Sequence, residues 1–410
     1  MKLKFLLFFY VILSTLSQIN FINASPAKDN PLLVVNIMIK NEEPVIESTL
    51  QPFIDAGIDH FLIFDTGSTD RTIEITEELF KKNNIKHAVI KQEPFIDFAT
   101  SRNRCLELTE DAFPNAEFMI MLDAEWYMHG IPELLNFCEA KKHDTCPSYL
   151  VRLIMNETLD FYAPRLIKMS SKSRFYGVVH ETLDNTTKSQ APSNSYFEVR
   201  TSRFGREKSK TRWYRDKDLL MKEHLKNPTD ARTVFYLAQT YDCLEDLENA
   251  RFWYEKRIET PGWYEENFVA LCRLAQVYEN LSNKEKINGN LKKSDELLAK
   301  SLLYYSKAYS NRPIRVEPLI KLAQYYLFSG EKELCYLYAK RACEIPYPET
   351  DILFVEKNLY DFTRWDLLGI SAWYVGEYAI GKAAIIKAME ACPNMPHLQQ
   401  NLACYNNIII

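Results

Sequence analysis

The chain is 410 residues long, 47% hydrophobic and 26% charged, enough to bury more than one core and to form about two to three domains. Its formal net charge is −5 and no extended Lys/Arg surface is written into it, which excludes a nucleic-acid binder built on phosphate contacts.

The chain starts Met1-Lys-Leu-Lys4, continues as an apolar run over residues 5–16, and reaches Ile22-Asn-Ala24 before Ser25. A basic start, an apolar middle and small residues at a cleavage point describe a secretory signal peptide over residues 1–24. An uncleaved signal anchor is the rival reading, although the apolar run is short for a membrane span. Either places the chain on the secretory route, in the ER or Golgi lumen or secreted. Three N-glycosylation sequons begin at Asn156, Asn185 and Asn280.

From residue 31 to 204, short apolar runs alternate with helical stretches. Residues 32–38, 61–64, 88–90, 118–122 and 150–154 read as strands, with helices starting near Glu42 and Ser68. This order predicts a mostly parallel, doubly wound α/β sheet, whose ligands lie beyond the carboxyl ends of the strands.

The polar motifs fall at those ends. Lys40-Asn41-Glu42-Glu43 follows the first strand, and Asp65-Thr66-Gly67-Ser68-Thr69-Asp70 follows the second. There Gly67 permits a tight turn, Ser68 or Thr69 is suited to cap a helix running through Ile73 and Leu79, and Asp65 stands free to accept from a ligand. Phe98-Ala-Thr-Ser-Arg102-Asn103 comes next, then Leu122-Asp123-Ala124-Glu125, and Tyr176-Gly-Val-Val-His180-Glu181 comes last. Carboxylates at i and i+2, as at Asp123 and Glu125, point the same way only on extended backbone. An ordinary strand-to-helix turn or a surface acid pair would account for each motif alone, but not for their succession. A dinucleotide-binding Rossmann enzyme fits the alternation and fails on detail, because no GxGxxG follows the first strand.

After a basic polar stretch over residues 203–215, helical periodicity takes over. Leu237-Ala238-x-x-Tyr241, Leu274-Ala275-x-x-Tyr278, Leu322-Ala323-x-x-Tyr326 and Leu368-Gly369-x-x-Ala372 repeat one pattern, with Ala250, Tyr254, Ala339, Ala342, Gly381 and Ala388 at following positions. These spacings resemble tetratricopeptide repeats, in which large and small residues interlock paired helices; a generic helical bundle is the plainer alternative. The openings stand 37, 48 and 46 residues apart, which implies longer helices or insertions, notably over residues 283–294. The aromatic groups at 213–214, 252–254 and 263–264 read as repeat core, whereas Trp126-Tyr127, directly after the acid pair, is the better candidate for touching a ligand. The nine cysteines are scattered with no CxxC pair; Cys138 and Cys146 are the nearest candidates for a disulfide in the first half, and buried free thiols are expected for most.

The succession KNEE, DTGSTD, FATSRN and LDAE, over residues 31–205, resembles glycosyltransferase family 2 enzymes with the GT-A fold. Some members of that family, including bacterial transferases that glycosylate peptides, also carry tetratricopeptide repeats behind the catalytic domain. The resemblance implies a GT-A domain over residues 25–205, a linker or helix over 206–230, and repeats over 231–410. It implies that Asp65 binds the base or ribose of a nucleotide-sugar, with Asn41 and Glu43 lining the pocket and Arg102, Asn103 and Asp123 against the donor. Asp123 and Glu125 stand where the family has its DxD motif, with Glu125 in place of the usual second aspartate, and would hold Mn²⁺ or Mg²⁺ on the diphosphate. His180 would complete the metal site and Glu181 would act as general base in an inverting transfer from a UDP-sugar to a glycan or polypeptide acceptor, positioned partly by the repeats. The repeats would also suit a protein partner or a homodimer. The competing reading is an inactive transferase-like scaffold whose repeats bind a partner.

Overall fold

The computed structural model describes residues 21–22, 30–155, 159–184, 189–200 and 206–408. Asn156, Asn185 and all of residues 1–24 except 21–22 lie outside the described residues. The chain divides into two compact units, Met1–Leu153 with Tyr162–Ser202, and Ile154–Phe161 with Arg203–Ile410. Among the described residues no helix is long and apolar enough to cross a membrane.

The first unit is a sheet flanked by helices. Its elements run β1 (Phe21–Ile22), β2 (Leu33–Ile39), α1 (Ile46–Asp55), β3 (His60–Asp65), α2 (Thr72–Lys82), β4 (His87–Gln92), α3 (Phe98–Ala112), β5 (Phe118–Leu122), β6 (Trp126–His129), α4 (Ile131–Lys141), β7 (Ser148–Met155), β8 (Leu159–Lys168), β9 (Phe175–Tyr176), β10 (Thr182–Leu183) and β11 (Tyr196–Val199). The large sheet has the order β1-β4-β3-β2-β5-β8-β7-β11-β6, and β9 and β10 form a separate ribbon. The strands β4, β3, β2 and β5 are parallel. Their runs, such as His60–Asp65 and Phe118–Leu122, are buried throughout because helices cover both faces, and this is why the sequence shows no alternation there.

Beyond β5 the sheet departs from the doubly wound expectation. β8 is antiparallel to β5, and β11 is antiparallel to β6. These later strands are short or carry polar residues between the apolar ones, so they lack the continuous apolar signal of β2 and β3.

Two polar devices fix α3, the helix that carries Arg102 and Asn103. Asp97 caps it by accepting from the Thr100 N–H at 2.7 Å. Buried Asn36, in the middle of β2, donates to Thr109 Oγ1 at 3.0 Å and ties the helix to the sheet. All nine cysteines are free thiols, and Cys146 Sγ donates to Ser148 O at 3.1 Å rather than pairing with Cys138.

The second unit is helical: α5 (Arg206–Lys226), α6 (Ala231–Cys243), α7 (Leu247–Glu259), α8 (Tyr264–Ile287), α9 (Leu291–Asn311), α10 (Glu317–Ser329), α11 (Lys332–Cys343), α12 (Arg364–Tyr374), α13 (Tyr378–Ala391) and α14 (Pro396–Asn406). Each helix packs on the next, and alternate helices also meet: α6 with α8, α10 with α12, and α12 with α14. This is the neighbour pattern of stacked helix pairs. The small residues of the repeat pattern sit at the close approaches, with Ala250, Ala275, Ala323, Ala339, Ala342, Ala372 and Ala388 fully buried. The 48-residue spacing comes from the lengths of α8 and α9, 24 and 21 residues, joined by a short turn. The 46-residue spacing comes from the connection between Cys343 and Arg364, which includes a π-helical turn, Leu359–Thr363. Of the aromatic groups, Trp253 and Tyr254 are core as expected, while Tyr214, Phe252 and Tyr264 are exposed.

Candidate active site

The loops after β2 and β3 are sewn together by side chains. Asn41, on a left-handed backbone (φ 56), donates its N–H to Ser68 Oγ at 2.9 Å and accepts from the Thr69 N–H at 2.7 Å. The Glu42 N–H donates to Thr72 Oγ1 at 2.7 Å. Glu43 and Asp70 cap each other's segments: the Glu43 N–H donates to Asp70, and the Arg71 N–H donates to Glu43, both at 3.2 Å. Asp70 also accepts from the Thr72 N–H at 3.1 Å, just ahead of α2, whose N-cap position is Arg71 and which neither Ser68 nor Thr69 caps. Thr72 and Glu43 hold Asp70's carboxyl below the usual carboxylate range, although its burial opposes this. Asn41 and Glu43 are thus fasteners of the double loop that surrounds Asp65.

Asp65 itself is fully buried and does not stand free. It accepts from the Ser68 N–H at 3.0 Å, from Ser68 Oγ at 2.5 Å and from Gln92 Nε2 at 2.7 Å. A carboxylate offers about four lone-pair sites, and this arrangement orients it rigidly at the end of β3.

The second half of the site is an ion network. Arg102 Nη2 donates to Asp123 Oδ1 at 2.5 Å, and Arg165 Nη2 to Asp123 Oδ2 at 3.3 Å. Glu181 Oε1 lies 2.5 Å from Arg102 Nε, out of line with its N–H, and 3.9 Å from Arg165 Nη2. Burial opposes the charge on Asp123, yet Arg102 and Arg165 hold its carboxyl below the usual range. Burial and the neighbouring Arg102 charge pull the Arg165 guanidinium down. Arg165 stacks over Trp126 at 4.8 Å and both arginines lie over Phe175, at 5.8 Å for Arg102 and 5.6 Å for Arg165. Asn103 spends its amide on the Phe175 backbone, donating to its carbonyl at 2.8 Å and accepting from its N–H at 2.6 Å. It therefore holds the platform under the arginines. Apart from Arg102 Nε, which is ion-paired with Glu181, three guanidinium nitrogens, Nε and Nη1 of Arg165 and Nη1 of Arg102, have no hydrogen-bond partner among the described residues. Each buried unsatisfied donor costs about 1–3 kcal/mol, a cost that points to a missing acceptor.

Residues 34–191 match the model of glycosyl transferase family 2, and the match spans every motif above. This segment is a family 2 glycosyltransferase domain. Among solved structures, the chain is similar to a thermophilic TPR protein of Thermus thermophilus, at 18% identity over 49% of this chain and 94% of that one, with a TM-score of 0.30. It is also similar to the C-terminal part of a TPR repeat-containing protein from Cytophaga hutchinsonii, at 14% identity over 48% of this chain and 67% of that one, with a TM-score of 0.35. No curated protein matches the chain.

The residues expected to hold a metal in the glycosyltransferase domain do not fit one as they stand. Both oxygens of Asp123 face guanidinium groups, which would repel a divalent cation by several kcal/mol. His180 is exposed on a left-handed backbone (φ 52). Glu125 lies near Asp123 and Glu42, and burial and those charges push its carboxyl above the usual range. Among the described residues no three His, Cys, Asp or Glu side chains converge on a metal position.

Two arginines escaped the sequence reading, Arg165 within the matched segment and Arg200 just beyond it. Arg165 carried only a weak signal, one cation in a strand that also holds Asp160, Pro164 and Lys168. Arg200 anchors the turn between β5 and β6: its N–H donates to Glu125 O at 3.0 Å, its Nη1 to Ser48 Oγ at 2.7 Å and its Nη2 to Thr49 Oγ1 at 2.6 Å. Trp126, expected to touch a ligand, is buried beneath Arg165.

Proposed function

We propose that the chain transfers a hexosyl group from a nucleotide-sugar, in the first instance a UDP-sugar, to a hydroxyl of a glycan or polypeptide. The observation that carries this reading is the grouping of Asp65, Arg102, Asp123 and Glu181 at one end of the parallel strands, within the segment that matches the family. Asp65 recognises the nucleoside, and because it is fully buried and accepts from Ser68 and Gln92, one of those donors must give way to the nucleoside. In an inverting transfer the acceptor oxygen attacks the anomeric carbon, the bond to the diphosphate oxygen breaks, and Glu181 takes the acceptor's proton. To do so Glu181 must leave Arg102 Nε. The divalent cation of the sequence reading is not carried into this step, because Asp123 already faces two cations. The repeats recruit the acceptor or a protein partner, and residues 1–24 direct the chain to the secretory route.

Thermal-shift titration with UDP-, GDP- and CMP-sugars tests the donor. One nucleotide class should stabilise the wild type, and D65A should abolish that shift; no shift with any donor would leave the scaffold reading.

A further inference from the structure

We infer that Arg165 and Arg102 form the binding site for the donor's diphosphate, and that their guanidinium groups serve where a divalent cation was expected. The inference rests on the glycosyltransferase reading above. Both side chains are more than nine-tenths buried, with exposures of 9% for Arg165 and 5% for Arg102. Yet Nε and Nη1 of Arg165 and Nη1 of Arg102 lack any hydrogen-bond acceptor among the described residues. Arg165 lies 4.8 Å from the Trp126 ring and 5.6 Å from the Phe175 ring, contacts with aromatic faces that use none of its N–H donors for hydrogen bonds to oxygens. A planar fork of this kind matches phosphate oxygens in pairs.

Position and charge agree with this assignment. Both arginines are anchored on Asp123 just beyond β5, in the same end of the sheet as Asp65. Two guanidinium groups and the carboxylates of Asp123 and Glu181 form a quartet, with the Glu125 carboxyl close enough to act on both arginines. A divalent cation at Asp123 would add a third cationic group where two already stand. A phosphate adds acceptors where donors lack them, and it competes with Glu181 for Arg102, which would release the carboxylate for proton transfer. The bond that breaks in the transfer leaves its charge on a diphosphate oxygen, and the guanidinium donors are the groups that neutralise it.

Calorimetric titration of the full chain with UDP, GDP and inorganic pyrophosphate, each in EDTA and in Mn²⁺, tests this. Pyrophosphate and one of the nucleotides should bind in EDTA, with affinities changed less than about threefold by Mn²⁺. R165Q should weaken both by about 10–100-fold, and R165K should recover only part because it keeps the charge without the fork. Should R165Q fail to fold, the wild type still decides the matter: in EDTA the bound nucleoside diphosphate should exceed its nucleoside in affinity by about tenfold or more. Binding seen only with Mn²⁺, equal affinity for nucleoside and diphosphate, or an unaltered R165Q would overturn the inference and leave the glycosyltransferase reading standing. Absence of binding by all three probes with and without Mn²⁺ would overturn both.

Discussion

Asp123 accepts from two arginines at once, and its response to pH follows from that. Its carboxyl is depressed in the folded protein, so the stability it contributes is present above the unfolded value near 3.9 and is lost as pH falls through the lower folded value. Denaturation followed between pH 6 and pH 2.5 should show this acid loss in the wild type and a flatter profile in D123N. Glu125 has the opposite sign. Its folded value is raised, so its contribution is best below about 4.3 and declines as pH rises toward the folded value. E125Q should therefore be more stable than the wild type at pH 7 and show no such advantage at pH 4, by the same measurement. Removing Arg102 strands two carboxylates, of which Glu181 is only 7% exposed, and R102A should cost about 3–5 kcal/mol in denaturant midpoint analysis.

At the scale of elements, the loops after β2 and β3 behave as one body because their caps are exchanged. E43A removes the acceptor for the Arg71 N–H and should cost about 1 kcal/mol, with a loss of nucleotide affinity because Asp65 is held by the same double loop. In the helical unit, stacking depends on small residues at crossings. A Cβ on Gly381 would stand 2.0 Å from Tyr405 Oη, and one on Gly369 would stand 2.3 Å from Ile385 Cδ1. G381A should therefore destabilise the α12–α14 region by about 1–3 kcal/mol, read by hydrogen exchange in α14. Between the pairs lies a buried network in which Arg315 reaches Glu317 at 2.6 Å and Asp351 at 3.2 Å, while Glu265 accepts the N–H groups of Ile352 and Leu353, both at 2.8 Å. It fixes the long connection before α12.

For the whole molecule, the sequence made legible what strong patterns encode. Continuous apolar runs announced β2, β3 and β5, and the Leu-Ala-x-x-Tyr openings announced α6, α8 and α10. It concealed the antiparallel half of the sheet, where β8 mixes Asp160 and Arg165 with apolar residues and β11 is four residues long. In the site, the motif positions were legible but not their partners. Asn41 and Glu43, expected to line a pocket, also fasten loops, a role the sequence hid because capping bonds between segments 27 and 28 residues apart leave no local trace. Arg165 became visible only once β8 lay beside β5. The sequon at Asn280 also changes meaning in three dimensions, since Ser282 is buried and its hydroxyl donates to Ser294 O at 2.8 Å.

The most direct test of the account is turnover. The full chain would be incubated with UDP-, GDP- and CMP-sugars in turn, and release of free nucleotide measured for the wild type and D65A. The account predicts release from one donor class, reduced by about tenfold or more in D65A. No release from any donor, or equal release by D65A, would contradict it.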